Sequence, residues 1–263
     1  MIVLGVDVGS LTAKAVCMKD GKILSQALIR AVTRPSESAR QVIAQTLSAA
    51  GLSLEDVAYS VGTGYGRKQI PDVTETESEI TCHGRGAFYA NPGVRTVVDI
   101  GGQDAKALRL DADGNVERYS YNDKCASGTG RFLEVMADAL DVPLDKLGEL
   151  SATSSRAVRI SNQCVVFAET EVITLVNQGA EPADIVRGLH HALANRVAAL
   201  AKSVGVTPSV AFSGGVAKNA GVVLALSEAL GCELVPLDGV DPQFCGALGA
   251  ALIAMDRAGE KAA

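Results

Sequence analysis

The chain of 263 residues has no tryptophan, and aromatic residues make up only 4% of it. Hydrophobic residues still account for 48%, so the chain can bury a sizeable core. Lysine and arginine form no run and the formal net charge is −6, which argues against nucleic acid as a principal partner. The opening apolar stretch is interrupted at Asp7 and is too short for a signal peptide or a membrane span. We therefore expect a cytoplasmic protein with no membrane partner.

Two common signatures of metal and phosphate sites are also missing. The six cysteines include no CxxC pair, which excludes a zinc ribbon and a single-chain ferredoxin motif. No G-x-x-x-x-G-K-[ST] sequence occurs, which excludes a P-loop nucleotide site. Disulfides are not expected among scattered cysteines in a cytosolic chain. Cys17 and Cys232 lie in apolar runs typical of buried strands, whereas Cys125 has polar neighbours and glycines.

Interleaved strand and helix patterns predict an α/β fold. The predicted strands cover 2–8, 12–19, 22–29, 57–61, 95–100, 105–110, 116–121, 209–212 and 232–235. The predicted helices cover 36–50, 78–90, 164–178, 182–204, 219–230 and 246–257. Both halves begin with an apolar strand that ends in Asp, followed by glycine and a second strand. This weak repeat predicts two lobes, with 1–92 in the first and 93–245 in the second, and a C-terminal helix (246–263) that packs on the first.

Three glycine-containing loops have the residues of phosphate-binding turns. In DVGSLTAK (7–14), a strand delivers Asp7 to a turn at Gly9, where backbone N–H groups can face an anion. Asp7 is placed to hold Mg²⁺ through water. DIGGQD (99–104) repeats the strand-end carboxylate and the glycines, and FSGGVAKN (212–219) runs through paired glycines into a helix.

The stretch NDKCASGTGRFLEVMA (122–137) places a cysteine just before a glycine-rich turn that opens an amphipathic helix. Ser127 or Thr129 is expected to cap this helix. Its predicted buried stripe consists of Phe132, Val135, Met136, Ala139 and Leu140. A thiol beside a helix N-terminus is favoured as thiolate, which suits either metal binding or redox reactivity.

With VGTGYGR (61–67) and FAETEVI (167–173), these motifs resemble the activator ATPases of 2-hydroxyacyl-CoA dehydratases. Those proteins are relatives of the benzoyl-CoA reductase ATPase subunits, within the actin–hexokinase–chaperone ATPase superfamily. The resemblance runs from about residue 2 to residue 255. It implies a two-lobed, actin/hexokinase-like (ribonuclease H-like) α/β fold with duplicated mixed β-sheets.

The resemblance also implies a homodimer that shares one [4Fe–4S] cluster across its two-fold axis and binds ATP or ADP with Mg²⁺. Its implied partners are an acyl-CoA dehydratase or reductase component, and ferredoxin or flavodoxin as electron donor. The cluster ligands carried over are Cys125 and Cys164 of each chain, which together give the four thiolates that a cluster needs. Asn162 is expected to cap the helix after Cys164, and four helix N-termini would then face the anionic cluster.

The expected site residues fall into three groups. The expected nucleotide contacts are Gly9, Ser10, Leu11, Thr12, Lys14, Gly101, Gly102, Gln103, Gly128, Gly130, Ser213, Gly214, Gly215, Val216, Lys218 and Asn219. The expected metal ligands are Cys125 and Cys164 for the cluster and Asp7 and Asp99 for Mg²⁺. The catalytic candidates are Asp7, Gln103, Asp104, Glu169 and Glu171, of which Gln103 or Asp104 could orient the attacking water.

The expected mechanism links ATP binding in a cleft between the lobes to helix rotation at the cluster, through the helix after Asn162. Glu169 and Glu171 would lie near the nucleotide, although a solvated helix face explains them equally well. Two other functions remain open. One is a small-molecule kinase of the same superfamily, acting on an amino sugar without a cluster. The other is a chaperone-like ATP-driven binding module, for which a peptide-binding domain is absent at this length.

Overall fold

The computed structural model describes residues 1–161 and 164–262. The strands are β1 (Ile2–Val8), β2 (Thr12–Lys19), β3 (Lys22–Arg30), β4 (Tyr59–Thr63), β5 (Glu75–Thr76), β6 (Thr96–Ile100), β7 (Ala105–Leu110), β8 (Val116–Asn122), β9 (Val210–Ser213) and β10 (Leu234–Val235). The helices are α1 (Pro35–Ala49), α2 (Glu79–Ala90), α3 (Gly130–Leu140), α4 (Leu147–Ala152), α5 (Val165–Asn177), α6 (Pro182–Val204), α7 (Ala220–Leu230) and α8 (Cys245–Ala262).

The chain divides into two units, each built on a five-stranded mixed sheet. The first unit contains residues 1–94, 110–117 and 237–263, and its strand order is β3-β2-β1-β4-β5. β1 is antiparallel to β2 and parallel to β4, and β2 continues the antiparallel meander to β3. Helices α1 and α8 pack on this sheet, and α2 packs on α8.

The second unit contains residues 95–109 and 118–236, with strand order β10-β9-β6-β7-β8. β6 is antiparallel to β7 and parallel to β9, which in turn is parallel to β10. Read from the meander end, the two sheets therefore have the same order and the same strand directions. This duplication confirms the predicted α/β class with repeated mixed sheets.

Most element bounds lie within one or two residues of those predicted, and the differences have local causes. The strand predicted at 57–61 lies at Tyr59–Thr63, because a 3₁₀ turn at Leu54–Asp56 occupies the approach to it. The short β5 and α4 are not predicted by the pattern at all. The segments 110–117 and 237–245, expected in the second lobe, pack with the first unit.

The buried stripe predicted for α3 is partly wrong. Phe132 and Met136 are buried as expected, but Leu133 and Ala137 complete the buried face. Val135, Ala139 and Leu140 are only partly buried against the core of the second unit. Helix α3 packs against α5, so its buried face includes the residues that directly follow Phe132 and Met136.

Helix α8 lies unusually close to its neighbours in the first unit because glycines line the contact. A Cβ at Gly5 of β1 would overlap the backbone of Ala247 and Ala251, and a Cβ at Gly249 would overlap the carbonyl oxygen of Cys82. The absence of side chains at these two positions lets the backbones of β1, α2 and α8 approach one another. Helix α8 is thereby fixed beside the end of β1, where Asp7 lies.

We expect Gly249→Ala to destabilise the protein by about 1–3 kcal/mol, because the added methyl must displace the backbone of α2. The matched control is Gly259→Ala in the same helix, where nothing lies within 4 Å of the added Cβ. That control should leave stability unchanged or raise it by up to ~1 kcal/mol through helix propensity. Denaturant titration measures both, and equal effects of the two substitutions would contradict the close packing of α8.

Candidate functional site

In the first unit, the turn after β1 places three polar side chains together. Asp7 is buried one residue before the end of β1, and Lys14 of β2 donates to its Oδ2 at 3.0 Å. The turn closes with the Gly9 N–H donating to the Thr12 carbonyl at 3.0 Å. The Ser10 Oγ is buried and has no hydrogen-bond partner within the described part of the chain. A buried hydroxyl of this kind is a ready donor to a bound ligand.

Two further segments of the first unit lie against Asp7, although none of their residues is among the expected site residues. Gly64 directly follows β4 and has φ +92°. A Cβ at this position would overlap Asp7 Oδ1. A Cβ at Gly246 would lie 2.8 Å from His83 Nε2 and 3.2 Å from Asp7 Oδ2. His83 therefore lies close to the Asp7 carboxylate. The two residues are 76 positions apart in the sequence (83 − 7), and no local motif connects them.

In the second unit, the corresponding strand end holds a buried group of charges. Lys106 of β7 donates to Asp99 Oδ2 at 3.0 Å and forms a second ion pair with Asp104, and its side chain is only 2% exposed. The Ser213 hydroxyl, from β9, donates to Asp99 Oδ1 at 2.8 Å. The Lys106 ammonium also lies 5.6 Å from the centre of the Tyr121 ring. Lys106 thus fixes both carboxylates of the 99–104 loop.

The same arrangement of residues occurs in both units. Asp7 faces Lys14 on the antiparallel strand, and Asp99 faces Lys106 in the equivalent register. Lys106 is a site residue that the sequence reading missed. The signal that could have found it is the repeated spacing, since each lysine follows its aspartate by seven residues.

The loop 213–219 places backbone groups and a helix N-terminus beside Asp99. Gly214 has φ +89°, and a Cβ there would lie 2.9 Å from Asp99 Oδ1. Asn219 caps α7, since its Oδ1 accepts from the N–H groups of Gly221 at 3.0 Å and Val222 at 3.2 Å. A cavity of about 500 Å³ begins at Ala217 and Lys218 and continues between α7 and β10. The loop 213–219 therefore adjoins the Asp99 carboxylate at Gly214 and a concave surface at Ala217 and Lys218.

The 99–104 loop is joined to the start of α3 by two backbone hydrogen bonds. The N–H groups of Gly130 and Arg131 donate to the carbonyls of Gly101 and Gly102, each at 2.8 Å. A Cβ at Gly130 would lie 3.2 Å from the Gly101 oxygen and 3.5 Å from Val216 Cγ2. Three of the predicted segments, 99–104, 122–137 and 212–219, therefore meet at Gly130.

Cys125 lies at the start of the turn that leads into α3. Its Sγ is 3.2 Å from the Ser127 Oγ, and its carbonyl accepts from Asn122 Nδ2 at 2.9 Å. The Ser127 hydroxyl lowers the pKa of the Cys125 thiol most, and the Ser127 N–H and the positive charge of Arg196 add to that effect. Thr129 occupies the N-cap position, but its hydroxyl donates to the Ala126 carbonyl at 2.6 Å and so does not cap the helix through its side chain.

Cys164 is exposed and is itself the N-cap residue of α5. The expected cap, Asn162, lies outside the described residues. Glu171 of α5 accepts from the N–H of Ser161 at 2.9 Å and from its hydroxyl at 2.7 Å, so this carboxylate is directed at the segment before Cys164. Glu169 is partly buried on the same helix.

The structure distributes the predicted site residues over the two units. The first unit carries Asp7, Gly9, Ser10, Leu11, Thr12 and Lys14, and the second carries all the others. Gln103 is exposed beside the buried Asp104. Among the described residues of one chain, no group of three His, Cys, Asp or Glu side chains could hold a metal ion. A cluster with four thiolate ligands would therefore need cysteines from a second chain.

We expect Lys106→Met to destabilise the protein by about 3–5 kcal/mol, because it leaves Asp99 and Asp104 buried without their cation. The control is Lys146→Met, which breaks an exposed pair with Glu149 and should cause no measurable change. Urea titration of both variants tests this. Equal unfolding midpoints for Lys106→Met and the wild type would contradict the structural role of Lys106.

We expect Cys125 to react as a thiolate at lower pH than an ordinary cysteine, because its pKa is lowered. Ser127→Ala removes the largest cause, so the pKa rises and the alkylation rate of Cys125 shifts to higher pH. Cys82, whose pKa burial raises to about 12, should stay unreactive at neutral pH in both proteins. Iodoacetamide labelling of metal-free protein, read by peptide mass spectrometry, measures the two profiles. An unchanged Cys125 profile in Ser127→Ala would refute the assignment.

Known proteins similar to this chain combine this fold with nucleotide-dependent activation of a partner enzyme. The chain is 45% identical over 259 residues to the activating ATPase of (R)-2-hydroxyglutaryl-CoA dehydratase from Acidaminococcus fermentans, covering 97% of each chain. It superposes with a TM-score of 0.94 and 42% identity on the activator of the 2-hydroxyisocaproyl-CoA dehydratase from Clostridium difficile with bound ADPNP, covering 100% of this chain and 97% of that one.

A more distant likeness concerns the fold alone. The chain matches the ROK hexokinase from Thermus thermophilus with a TM-score of 0.52 at 17% identity, over 98% of this chain and 99% of that one. This confirms the predicted actin/hexokinase-like architecture. Residues 4–254 match the BadF/BadG/BcrA/BcrD ATPase family, which is nearly the whole length. Together with the duplicated sheets and their strand-end carboxylates, this match shows that the chain belongs to the BadF/BadG/BcrA/BcrD ATPase family.

Proposed function

We propose that this chain is an ATP-dependent one-electron activator of an acyl-CoA dehydratase or a related acyl-CoA reductase. In this proposal a homodimer holds one [4Fe–4S] cluster, and ATP binding and hydrolysis drive the transfer of single electrons to the partner enzyme. Two activators similar to the chain are named for dehydratases of 2-hydroxyglutaryl-CoA and 2-hydroxyisocaproyl-CoA. The acyl group served here would depend on the partner, which carries the substrate pocket.

The observation that carries the proposal is the backbone junction at Gly130. Through it the loop expected to hold phosphate, with Gly101 and Gly102, bonds directly to the turn that carries Cys125. A change of loop 99–104 on nucleotide binding or hydrolysis would therefore move the N-terminus of α3. Coupling between two sites needs a connecting element whose position both sites can bias, and this junction supplies one.

Each unit supplies strand-end groups that suit parts of a bound nucleotide. Asp7 and Asp99, each one residue before the end of a strand, are the carboxylates proposed to hold Mg²⁺ through its water shell. The Ser10 hydroxyl and the N–H groups of the two turns suit phosphate oxygens. Gln103, exposed beside Asp104, is the candidate for orienting the attacking water. Adenosine would lie along 213–219.

The cysteines fit a cluster by the chemistry of their donors. Cys125 is partly exposed with a lowered thiol pKa, and Cys164 is exposed at a helix N-terminus. The four thiolates of two chains match the ligand number of a [4Fe–4S] cluster, which when bound accepts and donates single electrons. Glu171 accepts two hydrogen bonds from Ser161, three residues before Cys164. Cys17, Cys82 and Cys245 are fully buried and suit packing roles.

The exposed side of α5 supports the homodimer. Val166 and Phe167, just after Cys164, are 66% and 63% exposed, and Ile173 and Val176 are also exposed. Apolar side chains in such a patch mark interaction surfaces. A second copy placed against α5 by a two-fold axis would cover the patch and bring the two Cys164 residues close to the axis. Ferredoxin or flavodoxin is the proposed electron donor.

We expect anaerobically reconstituted wild-type protein to be brown, with about four irons per dimer and broad absorbance near 400 nm that bleaches on reduction. Cys125→Ser and Cys164→Ser should each lose the iron, because each removes two of the four thiolates in the dimer. ADPNP binding, measured by calorimetry, should remain within about threefold of wild type, since neither cysteine is itself one of the expected nucleotide contacts. Iron analysis and absorbance spectra complete the test.

The matched control is Cys232→Ser, which alters a partly buried cysteine outside the two proposed segments and should keep the iron. Retention of iron in Cys125→Ser would contradict the ligand assignment. A colourless wild-type protein that phosphorylates an amino sugar would overturn the proposal in favour of the kinase alternative.

A further inference from the structure

Arg196 of α6 lies against the turn that carries Cys125. A Cβ at Gly128 would lie 3.1 Å from Arg196 Cδ, 3.5 Å from Cγ and 3.6 Å from Nε. Gly128 has φ +87°, a conformation that favours glycine, and it is buried. The aliphatic part of the arginine thus packs on the backbone of the turn, three residues from Cys125.

The position of Arg196 also places its positive charge near the Cys125 sulfur. A Cβ at Gly128 would lie only 3.6 Å from Arg196 Nε, so the charged end of the side chain reaches the turn that carries Cys125. Arginine stays protonated at all relevant pH values, so this charge is permanent. Arg196 is partly buried, and solvent and salt screen such a charge less than an exposed one.

Helix α6 gives the arginine a rigid support. The helix runs from Pro182 to Val204, and its buried face contributes to the core of the second unit. Earlier in the same helix, the buried His190 has its Nε2 3.3 Å from Asn219 Nδ2, in the loop 213–219. The same helix therefore supports the Cys125 turn and the loop expected to frame adenosine.

We propose that Arg196 is a positioning residue for the metal centre, which fixes the Cys125 turn through its stem and raises the reduction potential of a cluster bound there through its charge. This inference rests on the proposed function, because it needs a cluster at Cys125. A cluster ligated by thiolates is anionic, and adding an electron increases its negative charge. A nearby fixed cation stabilises the reduced form more than the oxidised form, so the potential rises.

Two substitutions separate the stem from the charge. Arg196→Met keeps an unbranched stem against Gly128 and removes the charge, whereas Arg196→Lys keeps both a stem and a charge. The control is Arg187→Met, which removes a cation from the same helix nine residues earlier (196 − 187), roughly 13 Å along its axis. Arg187 contacts the Ser154 carbonyl at 3.4 Å and has no role in the proposal.

The first measurement is an anaerobic redox titration of the reconstituted dimers, followed by absorbance near 400 nm. We expect Arg196→Met to lower the equilibrium constant for one-electron reduction of the cluster about tenfold. This corresponds to a fall of about 59 mV in the reduction potential. Arg196→Lys and Arg187→Met should stay close to the wild type. Equal potentials in Arg196→Met and the wild type, or equal shifts in the Met and Lys variants, would overturn the inference.

The second measurement uses metal-free protein and so does not depend on the cluster. Alkylation of Cys125 at pH 7.5 should be slower in Arg196→Met than in Arg196→Lys and in the wild type, because the thiol pKa rises when the charge is lost. Equal rates in all three proteins would overturn the electrostatic role of Arg196. A wild-type protein that binds no iron would instead refute the proposed function. The alkylation rates of the metal-free proteins test the charge of Arg196 separately from that result.

Discussion

The buried ion pairs of Lys106 set the geometry on which the second unit depends. An ammonium that is 2% exposed persists only where its charge is matched, and Asp99 and Asp104 supply that match from opposite ends of one loop. The loop between them is thereby held in a single shape, with the Gly101 N–H donating to the Asp104 carbonyl at 2.9 Å. A loop fixed in this way can present its backbone groups without first being ordered by a ligand.

The duplication explains why each unit carries a carboxylate at the same strand end. In each sheet the first strand lies between its antiparallel and parallel neighbours, so its last residues are flanked on both sides. Asp7 has Lys14 on one side and Thr63 on the other, and Asp99 has Lys106 and Ser213. The two sites differ in burial, since Lys14 is 12% exposed and Lys106 only 2%. The first-unit lysine is thus the one more open to a ligand.

The sequence predicted the parts of the site that local patterns encode. Strand-end aspartates followed by glycine, and the cysteine before a glycine-rich turn, are visible within ten residues. Lys106 was missed because a lysine in an alternating strand suggests an exposed position, and only the partner carboxylates explain its burial. His83 and Arg196 were missed for a different reason, since tertiary packing alone brings them to Asp7 and to the Cys125 turn. Contacts of this kind have no local signature.

Two routes could join the loop 99–104 to the proposed metal centre. The sequence suggests one through the helix after Asn162, on which Glu171 accepts a hydrogen bond from Ser161. Residues 125–130 form the other, a short path whose far end is hydrogen-bonded to Gly101. The segment 125–130 is held in one conformation, because α3 fixes its end and because Ser127 and Thr129 are buried and hydrogen-bonded within the turn. A shift of the loop 99–104 would therefore either break the two backbone hydrogen bonds to Gly130 and Arg131 or move the end of the Cys125 turn with it.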